Sequence, residues 1–327
     1  QYWGSLAYLF SETAKPEEAA VAFREAIRAK PGDISLYEGL GYAEEKVKNY
    51  SAATNAFKHV IDYYLDRPTP LDPETIEKVY GFKRTLDDMN QRLKVDFAEV
   101  IRLDNSPFGP QPNIVANSSY SGFGVLLADY RAVHGIGPLN SDVSVYGRFL
   151  WANKNRSLSV EKELSQAGLG VSIKPLGDYD FRISLERMFK VGSDTQNDVM
   201  VRSGASFSEG GYWHPSKGAW NYYDIYLDGA YLIESTQLYL TSNLRWGRAY
   251  KLWDAGALVP YVTGGAVDSD GNTWIDAGVG ITLAIWGFES RYRAHRLLTR
   301  ITLEGRQHLA GNSEDEHTVR LKYEMAF

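Results

Sequence analysis

The spacing of hydrophobic residues changes near residue 94. Up to that point apolar residues recur every three or four positions, as in amphipathic helices, and from Lys94 onward they alternate with polar residues, as in strands. Between 179 and 186, for example, Tyr179, Phe181, Ile183 and Leu185 alternate with Asp180, Arg182, Ser184 and Glu186. Similar alternation recurs in 142–151, 223–231 and 238–246, with turn residues between the segments. The pattern predicts helices followed by many strands, each with one apolar and one polar face.

The helical part repeats with an offset of 34 residues. At this offset Trp3 aligns with Tyr37, while small Ala19 aligns with Ala53. The period and these residue types resemble the tetratricopeptide repeat. The resemblance implies that residues 1–67 are the last two repeats of a solenoid whose other repeats lie upstream, because about three repeats are needed for stability. An unrelated pair of helical hairpins is the alternative.

Residues 68–93 predict a separate capping or linker helix. Asp72, Pro73 and Glu74 are typical of an N-cap, a first-turn proline and a first-turn acid, and the helix is expected to run to about Arg92. The strand-rich domain then covers residues 94–327.

The composition excludes several classes of site and structure. The chain has no cysteine, which excludes disulfides and thiolate metal sites, and its net charge of −6 disfavours binding to the phosphates of nucleic acid. The longest apolar runs, such as 281–287, are far shorter than the ~20 residues of a transmembrane helix. A transmembrane strand needs only about 9–11 residues, so a membrane barrel is compatible with this composition.

The last residues favour the membrane barrel over a soluble sandwich. Alternate positions of the final strand are apolar up to a C-terminal phenylalanine, namely Val319, Leu321, Tyr323, Met325 and Phe327. This strand resembles the C-terminal strand of bacterial outer-membrane β-barrels, which the barrel assembly machinery recognises. The predicted fold class is therefore α+β multidomain: N-terminal tetratricopeptide helical repeats followed by a transmembrane antiparallel β-barrel of 16 strands.

This plan resembles the exopolysaccharide export proteins of Gram-negative bacteria, of the PelB, PgaA and BcsC types. Residues 300–312 are most similar to the PelB type and next to the NfrA-type phage-adsorption barrels. The resemblance implies an outer-membrane porin that exports a cationic, partially deacetylated amino-sugar polymer such as Pel for the biofilm matrix. It also implies periplasmic repeats that dock a polymer-modifying enzyme, and a PelC-like lipoprotein ring.

The polar faces of the strands predict a charged lumen. Acidic side chains there would attract a cationic polymer weakly and at many sites. The alternative is that the charges pair across strands and only keep the pore hydrated. The candidates for the polymer path are Asp142, Arg148, Arg182, Glu186, Asp224, Asp228, Glu234, Arg245, Asp276, Glu304 and Arg306.

An aromatic-rich loop is predicted between residues 211 and 224. Flat rings stack on sugars, so the candidates for polymer handling are Tyr212, Trp213, Trp220 and Tyr222. The alternative assigns these rings to the interfacial girdle of the barrel.

The sequence contains no recognisable catalytic constellation. Its six histidines are scattered and form no zinc motif, and no nucleophile or phosphate-binding motif is present. We therefore expect no enzyme activity, no metal and no cofactor. The alternatives to export are a surface receptor or adhesin with a plugged barrel and, third, an outer-membrane enzyme that uses loop residues.

Overall fold

The computed structural model describes residues 2–104, 121–137, 139–153, 161–177, 179–312 and 316–327. The chain divides into two compact units. The first comprises residues 1–91 together with 288–295, and the second comprises 92–287 together with 296–327.

The first unit is helical. Its described residues form α1 (Tyr2–Glu12), α2 (Pro16–Ala29), α3 (Ile34–Lys46), α4 (Tyr50–Leu65) and α5 (Pro73–Asn90). Successive helices pack through small and aromatic side chains, because Ala19, Phe23, Ala53 and Phe57 are completely buried. Helix α5 begins as the sequence predicts: the Asp72 carboxylate accepts a hydrogen bond of 3.0 Å from the backbone N–H of Thr75.

The prediction of a tetratricopeptide solenoid is wrong. The described helical part consists of five short helices and does not form a solenoid. The 34-residue offset reflects two helical hairpins of similar length, and two hairpins with one more helix fall short of the three or so stacked repeats that a solenoid needs.

A segment distant in sequence completes the first unit. Residues 288–295 pack on α4 and α5, where the hydroxyl of Tyr292 donates to Asp62 at 2.8 Å and Lys83 pairs with Glu289 at 2.7 Å. The hydroxyl of Tyr80 lies 2.9 Å from Nδ1 of His295. Burial raises the pKa of Tyr80 to about 12 and lowers the pKa of His295.

The second unit is a closed antiparallel barrel. Each strand pairs with the next in sequence, and β12 pairs with β1. The strands are β1 (Leu93–Arg102), β2 (Gly122–Ile136), β3 (Ser141–Asn153), β4 (Ser165–Lys174), β5 (Asp180–Lys190), β6 (Asp198–Glu209), β7 (Ala219–Leu232), β8 (Gln237–Trp253), β9 (Gly256–Ser269), β10 (Asn272–Gly287), β11 (Leu297–Gly311) and β12 (His317–Ala326).

The prediction of 16 strands is wrong, because the barrel closes with 12 strands in the described part of the chain. Sixteen strands would follow if each strand had only the length needed to cross a bilayer. Several strands are longer: β8 has 17 residues and β10 has 16. Because the strands are longer, the same number of residues forms fewer membrane-spanning strands.

The terminal strand makes the closing seam. Arg102 of β1 pairs in register with Arg320 of β12, and Asp96 pairs with Ala326. Beyond the last pair, the backbone N–H of Phe327 donates to the carbonyl of Val95 at 2.9 Å, and the N–H of Val95 donates back at 2.8 Å. The register of this seam runs without a shift from Asp96 to Arg102, so the sheet closes without an open edge there, which is the condition for exposure to lipid.

The two faces of the wall differ in exposure. On β5 the side chain of Leu185 is 50% exposed, whereas that of its neighbour Glu186 is 1% exposed. The same alternation places an apolar belt on the outside, which includes Val145, Leu169, Leu227, Leu244, Val262, Val279 and Leu303. An apolar outer belt on a closed barrel is the architecture of bacterial outer-membrane proteins. Among the described residues, no helix has the length and hydropathy to cross a membrane.

The barrel has two distinct ends. We call the end at which β1 begins and β12 ends the termini end, and the opposite end the loop end. The loop end carries the connections 103–121, 154–164, 191–197, 233–236, 270–271 and 312–316. The termini end carries the connections 137–140, 175–179, 210–218, 254–255 and 288–296.

Candidate functional site: the interior of the barrel

The interior near the loop end is filled by apolar side chains. One cluster contains Val100, Leu150 and Leu164, with Phe123 packed against it. A second cluster contains Met188, Met200, Leu232 and Tyr239. Leu164, Met188, Met200 and Leu232 are completely buried. On the β1 to β8 side, this end of the barrel is therefore packed like a protein core.

Two connections bond to each other at this end. The backbone N–H of Gly192 donates to the carbonyl of Ser165 at 2.7 Å, and the N–H of Asp194 donates to Glu163 at 2.9 Å. Thr195, which is 1% exposed, also donates to the carbonyl of Ser165 at 3.0 Å. A short 3₁₀ turn, Lys162–Leu164, thereby brings Leu164 into the interior cluster.

Below this packing lies a buried ion pair. Nε of Arg148 on β3 donates to Oε1 of Glu186 on β5 at 2.6 Å, and the hydroxyl of Tyr146 donates to Oε2 at 2.9 Å. The pair spans β4, whose residues at this level are Gly168 and Gly170. A Cβ at Gly168 would collide with the Glu186 carboxylate, so glycine is required for the pair to lie flat on the wall.

A larger network occupies the opposite side of the wall, from β8 to β11. Arg306 bonds to Asp276 at 2.7 Å and to Glu304 at 2.8 Å. Glu304 also accepts from the hydroxyl of Tyr261 at 2.8 Å and from Arg245 at 3.3 Å. Each carboxylate is thus matched by an arginine, which offsets the cost of its burial.

A third pair joins β6 to β7. Nε of Arg202 donates to Oδ1 of Asp228 at 2.6 Å, and a terminal nitrogen of Arg202 lies 3.1 Å from the Tyr226 hydroxyl. The Arg202 guanidinium neutralises most of the field of the Asp228 carboxylate, so Asp228 attracts a cation in the lumen only weakly.

The interior is more open toward the termini end. Arg182, which bonds to Asp129 at 3.3 Å, is 41% exposed. Lys322 and Glu324 form a pair at 2.7 Å and are 28% and 23% exposed. Asp142 lies close to the same end and binds Nδ1 of His134 at 2.6 Å.

The structure therefore places most predicted lumen residues on the inward face of the wall, and it brings many of them together as pairs. Asp224 is also on the inward face and lies beside Arg245 in register. Glu234 is different, because it lies in the connection between β7 and β8 and pairs with Arg187. The tyrosines of these networks, Tyr146, Tyr226 and Tyr261, are absent from the predicted set. Tyr146 and Tyr226 each lie two residues from a charged inward residue on the same strand, which is a signal in the sequence, whereas Tyr261 has no charged residue two positions away.

The predicted aromatic loop of residues 211–224 is only partly a loop, because residues from Ala219 onward belong to β7, and two of its tryptophans lie inside the barrel. Trp213 and Trp220 are 3% and 5% exposed, and their rings pack against each other with centroids 5.8 Å apart. Tyr222 follows Trp220 on the inward face of β7, whereas Tyr212 is 59% exposed. The two tryptophan faces are therefore occupied by neighbouring rings in this structure.

Comparison with known families points to one resemblance. Residues 158–319 match the family model of the C-terminal part of bacteriophage N adsorption protein A. The match begins within the β3–β4 connection, runs into β12 and covers just under half of the chain. No curated protein matches the chain. The chain is thus a barrel of the outer-membrane type that, over most of its strands, is similar to the C-terminal part of a phage adsorption protein.

Solved structures resemble the barrel only remotely. A KdgM porin is 10% identical with a TM-score of 0.35, and the alignment covers 72% of this chain and 98% of the porin. LpxR from Salmonella typhimurium is 9% identical with a TM-score of 0.36 and coverages of 72% and 99%. A bacterial polysaccharide outer membrane secretin is 8% identical with a TM-score of 0.33 and coverages of 72% and 98%. Likeness at this level assigns no function.

Proposed function

We propose that this chain is the membrane-embedded part of a surface receptor of the phage-adsorption type. The packed interior at the loop end carries the proposal, because a barrel that conducts polymer needs a hydrated path past Leu164, Met188 and Met200. The family resemblance over residues 158–319 supports it. In this function the barrel holds the loops of the loop end at the cell surface, where a phage tail protein would bind them.

The proposed orientation follows the usual arrangement of bacterial barrels, in which the longer loops are extracellular. The longest connections, 103–121 and 154–164, are at the loop end. Outer-membrane lipid and the barrel assembly machinery are the further partners that we propose, and the activity is binding without catalysis. Among the described residues, no group of three histidine or acidic side chains is arranged to hold a metal ion.

Export of a polysaccharide is the second candidate. The partly exposed charges near the termini end, including Arg182 and Lys322, favour it, since a hydrated charged surface suits a polar polymer. The arginine–carboxylate pairs of the inner wall argue against export of a cationic polymer. They leave little excess negative charge along much of the wall to attract such a polymer.

Bilayer recording separates the two candidates. The full chain, shown to be folded by heat-modifiable migration, is reconstituted in planar bilayers. We expect no stepwise conductance. Regular open steps that an amino-sugar oligomer blocks would overturn the receptor proposal in favour of export.

Adsorption of phage tests the receptor directly. Cells that display the chain are mixed with a panel of tailed phages, and depletion of free phage is measured against cells with an empty vector. We expect depletion of at least one phage, which Ser193→Arg at the loop end reduces. The matched change Asp254→Arg is in a termini-end turn and should leave adsorption unchanged.

A further inference from the structure

The connection between β6 and β7, residues 210–218, folds into the barrel. We call it the inner strap. Its central side chain, Trp213, is 3% exposed and packs on two inward-facing rings, with centroid distances of 5.3 Å to Trp286 and 5.8 Å to Trp220. A turn that merely joined two strands at the rim would leave such a ring in contact with solvent or lipid headgroups.

The positions of these partners show that the strap reaches across part of the mouth. Trp220 is on β7 and Trp286 is on β10, with β8 and β9 between them. Strands are about 4.8 Å apart, so β7 and β10 are separated by about 14 Å along the wall. The two rings nevertheless have centroids only 6.5 Å apart, because both point inward and converge, and Trp213 lies against both.

Polar contacts hold the strap in this position. Nζ of Lys251 lies 5.0 Å from the centre of the Trp213 ring and donates to the carbonyl of Pro215 at 3.1 Å. Nε1 of Trp220 donates to the carbonyl of Gly210 at 2.9 Å. Gly210 has a φ of +73°, and a Cβ there would collide with the carbonyl of Asn221. The inward turn of the chain therefore depends on glycine at this position.

The strap is continuous with a buried part of the inner wall. Ala249, which pairs in register with Trp220, is completely buried, and Ala284 is 3% exposed. Beyond the cluster, the inward side chains near the same end, such as Arg182 and Glu324, remain partly exposed. Burial on this side of the mouth thus coincides with the strap.

We propose that the inner strap is a partial closure of the barrel at its termini end, over the β7 to β10 side of the mouth, pinned by Trp213 between Trp220 and Trp286. Its release uncovers the inward faces of β8 to β10. The strap begins at Gly210 and ends at Gly218, and the contacts given above join it to the side chains of Trp220, Lys251 and Trp286 and not to a strand ladder, so it opens without separating a pair of strands. This closure is distinct from the apolar packing at the loop end and goes beyond the proposed receptor function.

Cysteine labelling tests the closure, and the natural chain has no cysteine to interfere. Ala249→Cys is made in the full-length chain, and the rate of its reaction with a charged methanethiosulfonate is measured on folded protein in detergent. Adding Trp213→Ala is expected to raise the rate roughly tenfold or more, because truncating a buried tryptophan removes a large packing contribution. Adding Trp213→Phe is expected to keep the rate low.

Ser184→Cys on the inward face of β5 is the control, since its labelling rate should not respond to Trp213. Equal rates at position 249 with and without Trp213→Ala, in protein that retains heat-modifiable migration, would overturn the proposal. If Trp213→Ala does not fold, Lys251→Met removes the cation and the bond to Pro215 and is expected to raise the same rate. The readout is independent of conductance and of phage adsorption, so the receptor proposal can fail while the closure stands.

Discussion

Arg148 on β3 bonds to Glu186 on β5 across the whole width of β4. The 2.6 Å bond is possible because the intervening position, Gly168, has no side chain. Both partners are nearly inaccessible, at 6% and 1% exposure. The pair therefore braces three strands at once.

Removing one partner of this pair should destabilise the barrel. Glu186→Ala leaves the Arg148 guanidinium buried without its carboxylate, and breaking such a pair costs about 3–5 kcal/mol. The change should lower the urea midpoint of unfolding of the barrel in detergent or lipid. Asp180→Ala is the control, because Asp180 is half exposed and its pair with Arg182 is at 3.5 Å, so the midpoint should hardly move.

Gly168→Ala should act through the same pair. The added methyl group would displace the Glu186 carboxylate, and we expect a loss of about 1–3 kcal/mol, as for other overpacked sites. Gly305→Ala adds the same group on β11 where nothing lies within 4 Å. Equal unfolding midpoints for the two variants would contradict the role assigned to Gly168.

The helical unit should lose stability in mild acid. Burial lowers the pKa of His295, which faces the Tyr80 hydroxyl, the Glu289 carboxylate and the Lys83 ammonium. The folded unit therefore favours the neutral ring. The contribution of His295 to the stability of the folded unit is complete above the pKa of histidine in the unfolded chain, near 6.5. This contribution is lost as the pH falls below that value, because the unfolded chain then binds the proton more readily than the folded unit does.

This dependence is measured by thermal unfolding of the full chain between pH 7.5 and pH 5. His295→Gln should flatten the decrease. A variant that keeps the same slope would show that other groups are responsible.

Phe327→Ala should reduce the amount of barrel in the outer membrane. The ring is 44% exposed at the end of the seam, and the guanidinium of Arg296 lies 4.8 Å from its centre. If this ring serves recognition during assembly, the loss in cells should exceed the loss on refolding into detergent. Heat-modifiable migration quantifies both. Equal losses would mean that the ring only stabilises the folded barrel.

The alternation of side chains predicted which faces of the strands turn inward. On β12 the sequence pattern separates Arg320, Lys322 and Glu324 from Val319 and Leu321, and the structure places these two sets on opposite faces. This works because the side-chain period of a strand is two and does not depend on distant residues.

The alternation of side chains predicts neither the number of strands nor the partners inside the barrel. The strand number depends on how far each strand extends past the bilayer. The alternation of side chains sets no upper limit on that length, and β8 reaches 17 residues. The Arg148–Glu186 pair depends on a glycine in the strand between them, and the pairing of Arg306 with Asp276 depends on register. The helical repeat misled for a similar reason, since hairpins of equal length have the same period whether or not they stack further.

The unequal lengths of the strands give the barrel an uneven rim. At about 3.3 Å per residue and a tilt of about 40°, the 10 residues of β4 rise about 25 Å, which is the height of the apolar band of an outer-membrane barrel. The 17 residues of β8 rise about 43 Å on the same basis. On this basis β8 projects about 18 Å beyond the apolar band, and the wall next to it offers a polar surface outside the lipid that β4 lacks.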